Sequence, residues 1–60
     1  MDPCKEEKDF GTSCEIPGSI QFYFNHISQN CEPFDYLGCN GNINRFSTLD
    51  ECIQFCGGKN

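Results

Sequence analysis

Thr48-Leu49-Asp50-Glu51-Cys52-Ile53-Gln54-Phe55-Cys56-Gly57-Gly58 is the most strongly punctuated stretch in these 60 residues. Thr48 with Glu51 three positions later is a capping box, the pairing that opens helices. Asp50 and Glu51 place negative charge at the positive end of a helix dipole. Leu49, Cys52, Ile53 and Cys56 fall at i, i+3, i+4 and i+7, so one face is apolar. Gly57-Gly58 supplies the stop. The stretch therefore predicts a helix with two cysteines, four apart, on its apolar face. Two such cysteines can pin a helix to two different places, and the obvious targets are a hairpin and the N-terminal segment.

The hairpin lies upstream. Ile20-Gln21-Phe22-Tyr23-Phe24 is aromatic and β-prone, bounded by Pro17-Gly18 and Asn25. A second run, Cys31 to Leu37, holds Phe34, Tyr36 and Leu37. The connection His26-Ile27-Ser28-Gln29-Asn30 suits two antiparallel strands. Pro33 cannot donate to a ladder, so it must sit where the N–H would face outward, or at a bulge. Gly11-Thr12-Ser13-Cys14, Ile16-Pro17-Gly18 and the Gly- and Asn-rich segment Gly38 to Asn44 read as loops. Pro3 limits regular structure at the start. The fold class is a small disulfide-rich α+β domain.

Composition agrees. Six of the 60 residues are Cys and 37% are hydrophobic. A chain this short buries too little apolar surface to be stable without cross-links. An even number of cysteines at one residue in ten is the level of a secreted disulfide scaffold. Zinc is the competing use, but the gaps of nine, sixteen, seven, twelve and three residues do not give paired ligands. His26 has no Cys beside it, so no metal or cofactor is expected. Disulfides imply an oxidising, extracellular compartment. Met1-Asp2-Pro3-Cys4 is read as an expression start, or as the first residue left after removal of a leader. No run of about 20 apolar residues is present to insert in a membrane. There is no Asn-x-Ser/Thr for N-glycosylation. Nine acids against four bases give a net charge of −5, which argues against nucleic acid as a partner. Asp2, Glu6, Glu7, Asp9 and Glu15, with only Lys5 and Lys8, read as a solvated acidic face.

Loop, hairpin, loop and helix in this order, with six cysteines, closely resemble the Kunitz domain of pancreatic trypsin inhibitor. The resemblance runs from Cys4 to Gly58. Its most specific stretches are Cys31-x-x-Phe34-x-Tyr36-x-Gly38-Cys39, Asn44-x-Phe46 and Glu51-Cys52-x-x-x-Cys56-Gly57-Gly58. Residues 4–58 would form one Kunitz-like domain, with 1–3 and 59–60 as short tails. The resemblance implies the pairing Cys4–Cys56, Cys14–Cys39 and Cys31–Cys52, where spacing alone leaves many connectivities open. It also implies core aromatics at Phe34, Phe46 and Tyr23, a buried amide at Asn44 bonded to strand backbone, and an exposed His26 in the hairpin turn.

Most members of the family inhibit serine proteases with a rigid loop that lies in the cleft like a substrate. The implied contact loop is Thr12, Ser13, Cys14, Glu15, Ile16 and Pro17, with Glu15 entering the specificity pocket. Leu37, Gly38, Cys39 and Asn40 form the secondary loop. Trypsin-type inhibitors carry Lys or Arg where Glu15 stands, opposite a buried Asp of the protease. Two carboxylates there would repel at low dielectric. The gaps before and after Cys14 are each one residue longer than usual, and Leu37 replaces the first of two family glycines. A Leu at that place is expected to push the Cys14 loop outward and to form an apolar patch with Ile16, rimmed by Ser13, Glu15 and Asn40. The sequence thus reads as a secreted, monomeric serine protease inhibitor that is not trypsin-like, of venom or saliva type. The alternative is a non-inhibitory toxin or salivary antagonist acting on an ion channel, an integrin or another receptor. An acidic tip at Asp9 or Glu15 suits an integrin metal site, whereas pore block is disfavoured by the scarcity of Lys and Arg. Catalysis is not expected: no nucleophile–base pair is present.

Overall fold

The computed structural model describes residues 2–57. Five named elements follow a short 3-10 turn at Pro3–Lys5: β1 (Thr12–Ser13), β2 (Ser19–Asn25), β3 (Asn30–Tyr36), β4 (Gly38–Cys39) and α1 (Leu49–Cys56). The opening turn corrects the reading that Pro3 limits regular structure at the start. Proline suits the first position of a helical turn, where no N–H partner is needed, and Asp2 caps it by accepting from the Cys4 N–H at 3.0 Å. At the other end, Gly58 and the 59–60 tail lie outside the described residues.

The β2–β3 hairpin is longer than expected, since Asn25 pairs with Asn30 and leaves a four-residue turn, His26 to Gln29. Asn25 makes that turn. Its Oδ1 accepts from the Ile27 N–H at 3.0 Å, and Gln29 takes the left-handed conformation at φ 61°. The register settles the place of Pro33. It stands opposite Phe22, and the Phe22 N–H and C=O both turn away to bond Phe46, at 2.8 Å each. Phe22 and Pro33 are therefore a pair without ladder bonds, and the missing N–H of Pro33 costs nothing.

Alternation sends Tyr23, Phe34 and Tyr36 to one face of the hairpin, where they form the buried cluster. Their rings meet edge to face, Tyr23–Phe34 at 5.6 Å and Phe34–Tyr36 at 6.5 Å. Phe10 adds a third edge contact to Phe34 at 6.2 Å. Cations cover the row: the Arg45 guanidinium lies 4.0 Å above Tyr36 and the Lys8 ammonium 5.3 Å from Tyr23. Phe46, expected in the core, is only half-buried and packs against Phe55 at 5.6 Å. Tyr36, not expected in the core, completes the buried cluster with Tyr23 and Phe34.

The helix begins where the capping signal placed it. Thr48 Oγ1 accepts from the Glu51 N–H at 3.1 Å and donates to the Glu51 carboxylate at 3.2 Å. Gly57, at φ 74°, ends it by donating to the Ile53 carbonyl. Cys52 is fully buried and joins Cys31 on β3, while Cys56 joins Cys4 beside the opening turn. With Cys14–Cys39, all six cysteines are paired, which leaves no thiolate for a metal.

Asn44 is the buried polar residue at the centre, 1% exposed. Its Oδ1 accepts from the Phe24 N–H at 2.9 Å. Its Nδ2 donates to the Phe24 carbonyl at 2.9 Å and the Glu6 carbonyl at 2.7 Å. Asn44→Ala would leave all three backbone groups dry and unpartnered. The expected loss is about 3 kcal/mol or more, read as the shift in a denaturation midpoint with the disulfides intact.

Glu32 supplies a second expectation. Its carboxylate accepts from the Tyr23 hydroxyl at 2.9 Å and the Ser28 hydroxyl at 3.0 Å. Chiefly the Tyr23 bond holds Glu32 below its usual 4.5, and burial, then the Glu32 bond, holds Tyr23 above 10.0. A lowered carboxyl pKa gives stability that is present above about pH 4.5 and lost as pH falls through the folded value. A raised phenol pKa gives stability lost as pH rises beyond about 10. Glu32→Gln should flatten the acid limb of the stability–pH curve below pH 4.5, measured by denaturation midpoints across pH.

Candidate functional site: the double-loop tip

One end of the molecule is built from two loops that carry almost no charge. Between Asp9 and Glu32 the only formal charge at neutral pH is Glu15, with His26 neutral. The facing segment from Leu37 to Asn44 carries none. Three kinds of contact hold the loops together. The Cys14–Cys39 bridge sets the Cα atoms 6.1 Å apart. β1 pairs with β4, Thr12 opposite Cys39 and Ser13 opposite Gly38. This pairing corrects the reading of Gly11 to Cys14 and of Gly38 to Cys39 as loop alone. Lastly, the Asn40 side-chain amide donates to the Thr12 hydroxyl at 2.5 Å. The Asn40 backbone is itself fixed, because the Tyr36 hydroxyl donates to its carbonyl at 2.6 Å.

The structure thus brings Thr12, Ser13 and Cys14 against Gly38, Cys39 and Asn40. Glu15, Ile16 and Pro17 project beyond them and are exposed. Two glycines let the chain past Cys14 lie directly on the facing backbone. A Cβ on Gly38, at φ 120°, would fall 2.5 Å from the Ile16 carbonyl oxygen. A Cβ on Gly18 would fall 2.6 Å from the Tyr36 carbonyl oxygen and 3.4 Å from the Leu37 Cα. Gly18 belongs to the stretch that carries the extra residue after Cys14, and sequence reading placed it only in a loop. Close approach of backbones explains it: a side chain on Gly18 would run into the Tyr36 carbonyl and the Leu37 main chain.

Leu37 is 42% exposed and Ile16 59% exposed, with Ile20 at 59% on the neighbouring strand. Ile16 and Leu37 therefore add exposed aliphatic side chains to loops whose one carboxylate is Glu15, while Ile20 stands opposite Asp35 in the hairpin. Leu37 is also tied from behind, its N–H donating to the Phe10 carbonyl at 2.8 Å. His26 is exposed in the hairpin turn, in a different loop from Glu15. No group of three His, Cys, Asp or Glu side chains able to hold a metal ion occurs among the described residues.

Comparison with known proteins places this geometry. The family model for the Kunitz/Bovine pancreatic trypsin inhibitor domain matches residues 3–57. Papilin of Caenorhabditis elegans is 49% identical over 55 residues, 92% of this chain but 2% of papilin. The SmCI structure in complex with human carboxypeptidase A4 superimposes with a TM-score of 0.85 at 38% identity, over 95% of this chain and 33% of that one. A structure of pore-modulating toxins that exploit inherent slow inactivation to block K+ channels gives 0.81 at 30% identity, over 90% of each chain. The chain therefore spans only a small part of papilin and a third of the SmCI chain.

The glycine contacts yield a direct test. Gly18→Ala sets a methyl group against the Tyr36 carbonyl oxygen and forces the two backbones slightly apart. It should cost about 1–3 kcal/mol and shift the amide resonances of Leu37 and Gly38 more than those of α1, measured by denaturation and by NMR.

Proposed function

The chain belongs to the Kunitz/Bovine pancreatic trypsin inhibitor domain family, and on that premise we propose a secreted serine protease inhibitor with an unusual pocket residue. The domain would extend over residues 4–58 and act as a monomer, by binding and not by catalysis. The contact loop would be Thr12, Ser13, Cys14, Glu15, Ile16 and Pro17, supported by Leu37, Gly38, Cys39 and Asn40. One observation carries this reading: a clamped double loop whose single carboxylate, Glu15, is exposed. A loop already fixed by a disulfide, a strand pair and two backbone crossings loses little freedom when a protease closes on it. The same clamps would hold the ends of a cut bond together and favour its resealing.

Glu15 then selects the target. An acidic specificity pocket would set two carboxylates together away from water, which is unfavourable by several kcal/mol. The fitting pocket is neutral or basic. Ile16 and Pro17 would meet the side of the cleft that receives the leaving half of a substrate, where a β-branched residue followed by proline restricts the match further.

The alternative is a binding module that inhibits no protease. The likeness to channel-blocking toxins supports considering it. Lys8 and Arg45, however, lie over the rings of Tyr23 and Tyr36, and no Lys or Arg occurs from Phe10 to Asn44, so the tip offers no cation to plug a pore. A module of this second kind would work through the acidic, aliphatic tip.

A panel of serine proteases with mass-spectrometric readout of the Glu15–Ile16 bond separates the two readings. The expected result is no tight inhibition of trypsin, and slow or no cleavage at Glu15–Ile16 by a protease with a neutral or basic pocket that is inhibited. Glu15→Lys should then improve trypsin inhibition by roughly a hundredfold or more, the equivalent of about 3 kcal/mol. If Glu15→Lys gains nothing and no protease in the panel is inhibited, the tip is not a substrate mimic.

A further inference from the structure

A second concave surface lies on the helix side, lined by Phe46, Glu51, Gln54 and Phe55, with a volume of about 390 Å³. We infer that this groove receives a cationic side chain, arginine or lysine, from a basic protein partner. The inference is separate from the Cys14 loop and does not depend on protease inhibition.

The groove's chemistry sets the choice of occupant. Glu51 and Phe55 stand one turn apart on α1, with Gln54 beside them. Phe46 enters from the segment before the helix, and its ring lies 5.6 Å from that of Phe55 at an angle of 44°. Phe55 is 64% exposed, so much of its ring is open to an incoming side chain. Two ring faces attract a cation through their quadrupoles. The Glu51 carboxylate stands at the groove, held on one side by the Thr48 hydroxyl at 3.2 Å.

The position near a helix N-terminus opposes a cation, but weakly. The dipole contributes roughly half a positive charge, whereas Asp50 and Glu51 bring two negative charges to the same turn. The charges of the helix's first turn are therefore net negative, while the nearby Arg45 is turned onto the Tyr36 ring. The whole chain, at −5, repels an acidic partner, an anionic membrane and a second copy of itself, and attracts a basic surface. The volume lies at the small end of the range for specific ligand sites, which suits one guanidinium or ammonium with its aliphatic stem against the rings. Gln54 adds an amide oxygen that can accept from the same donor.

The probe is N-acetyl-arginine amide, titrated at low salt into the isotope-labelled protein and followed by NMR. Shifts should centre on Phe46, Glu51, Gln54 and Phe55, exceed those caused by N-acetyl-norleucine amide, and shrink as salt is added. Phe55→Ala should weaken binding about two- to fivefold, as expected for an exposed cation–π contact. Glu51→Gln should weaken it with both rings in place, and Glu51→Asp should partly restore it. Retained dispersion of the remaining amide signals shows that each variant is folded. Equal shifts with norleucine amide would mean an apolar patch without charge selection and overturn the inference. So would shifts spread over all the carboxylates, or none at the groove.

Discussion

The amide of Asn44 holds three segments that would otherwise have no reason to meet. Its oxygen and nitrogen close the outer edge of β2 at Phe24, and its second N–H reaches back to the Glu6 carbonyl. Asn42 repeats the gesture one step earlier, donating to the Glu7 carbonyl at 2.8 Å while its oxygen accepts from the Asn44 N–H. Two side chains thus do for the N-terminal segment what a third strand would otherwise do. The price is burial of a polar group, recovered because the oxygen and both N–H groups of the Asn44 side-chain amide are bonded. The Cys4–Cys56 bridge then fastens the same segment to the end of α1, and the aromatic row lies beneath it. With so little apolar surface available, the fold is fixed by directed bonds at a few points.

The tip extends that economy to the place where function is proposed. It is tied to the core by the Tyr36 hydroxyl, which holds the Asn40 carbonyl. Its rigidity otherwise rests on one disulfide, a strand pair of two residues each, the Asn40–Thr12 bond, and backbone contact at Gly18 and Gly38. Gly18, in the stretch after Cys14, lies against the Tyr36–Leu37 backbone with no side chain between them, and Leu37 keeps its own side chain exposed.

The elements legible in the sequence are those with a period. The helix was readable from its cap and its i, i+3, i+4, i+7 face. The hairpin was readable from two aromatic runs, although its turn proved one residue shorter. The pairing of β1 with β4 was not readable, because Thr12-Ser13 and Gly38-Cys39 are too short and too polar to alternate. The half-burial of Phe46 depends on which partner reaches it, and no local pattern carries that. At the tip, residues next to Cys14 and Cys39 could be assigned because a disulfide brings its neighbours along. The role of Gly18 could not, since close approach is a tertiary fact. The helix groove was hidden for another reason. Glu51 had already been accounted for as a cap, and Phe55 falls outside the apolar face of α1.

The bond between Phe22 and Phe46 has a consequence for how the molecule meets other chains. At one rung of the hairpin, the free edge of β2 is occupied by Phe46, and the free edge of β3 carries Pro33, which has no N–H to offer. Both borders of the sheet are interrupted at the same level. A foreign strand cannot zip along either side, so neither β-augmentation by an extended peptide nor edge-to-edge fibril growth finds a continuous template. Recognition by this protein is accordingly a matter of side chains and loop ends, not of shared backbone ladders along the hairpin.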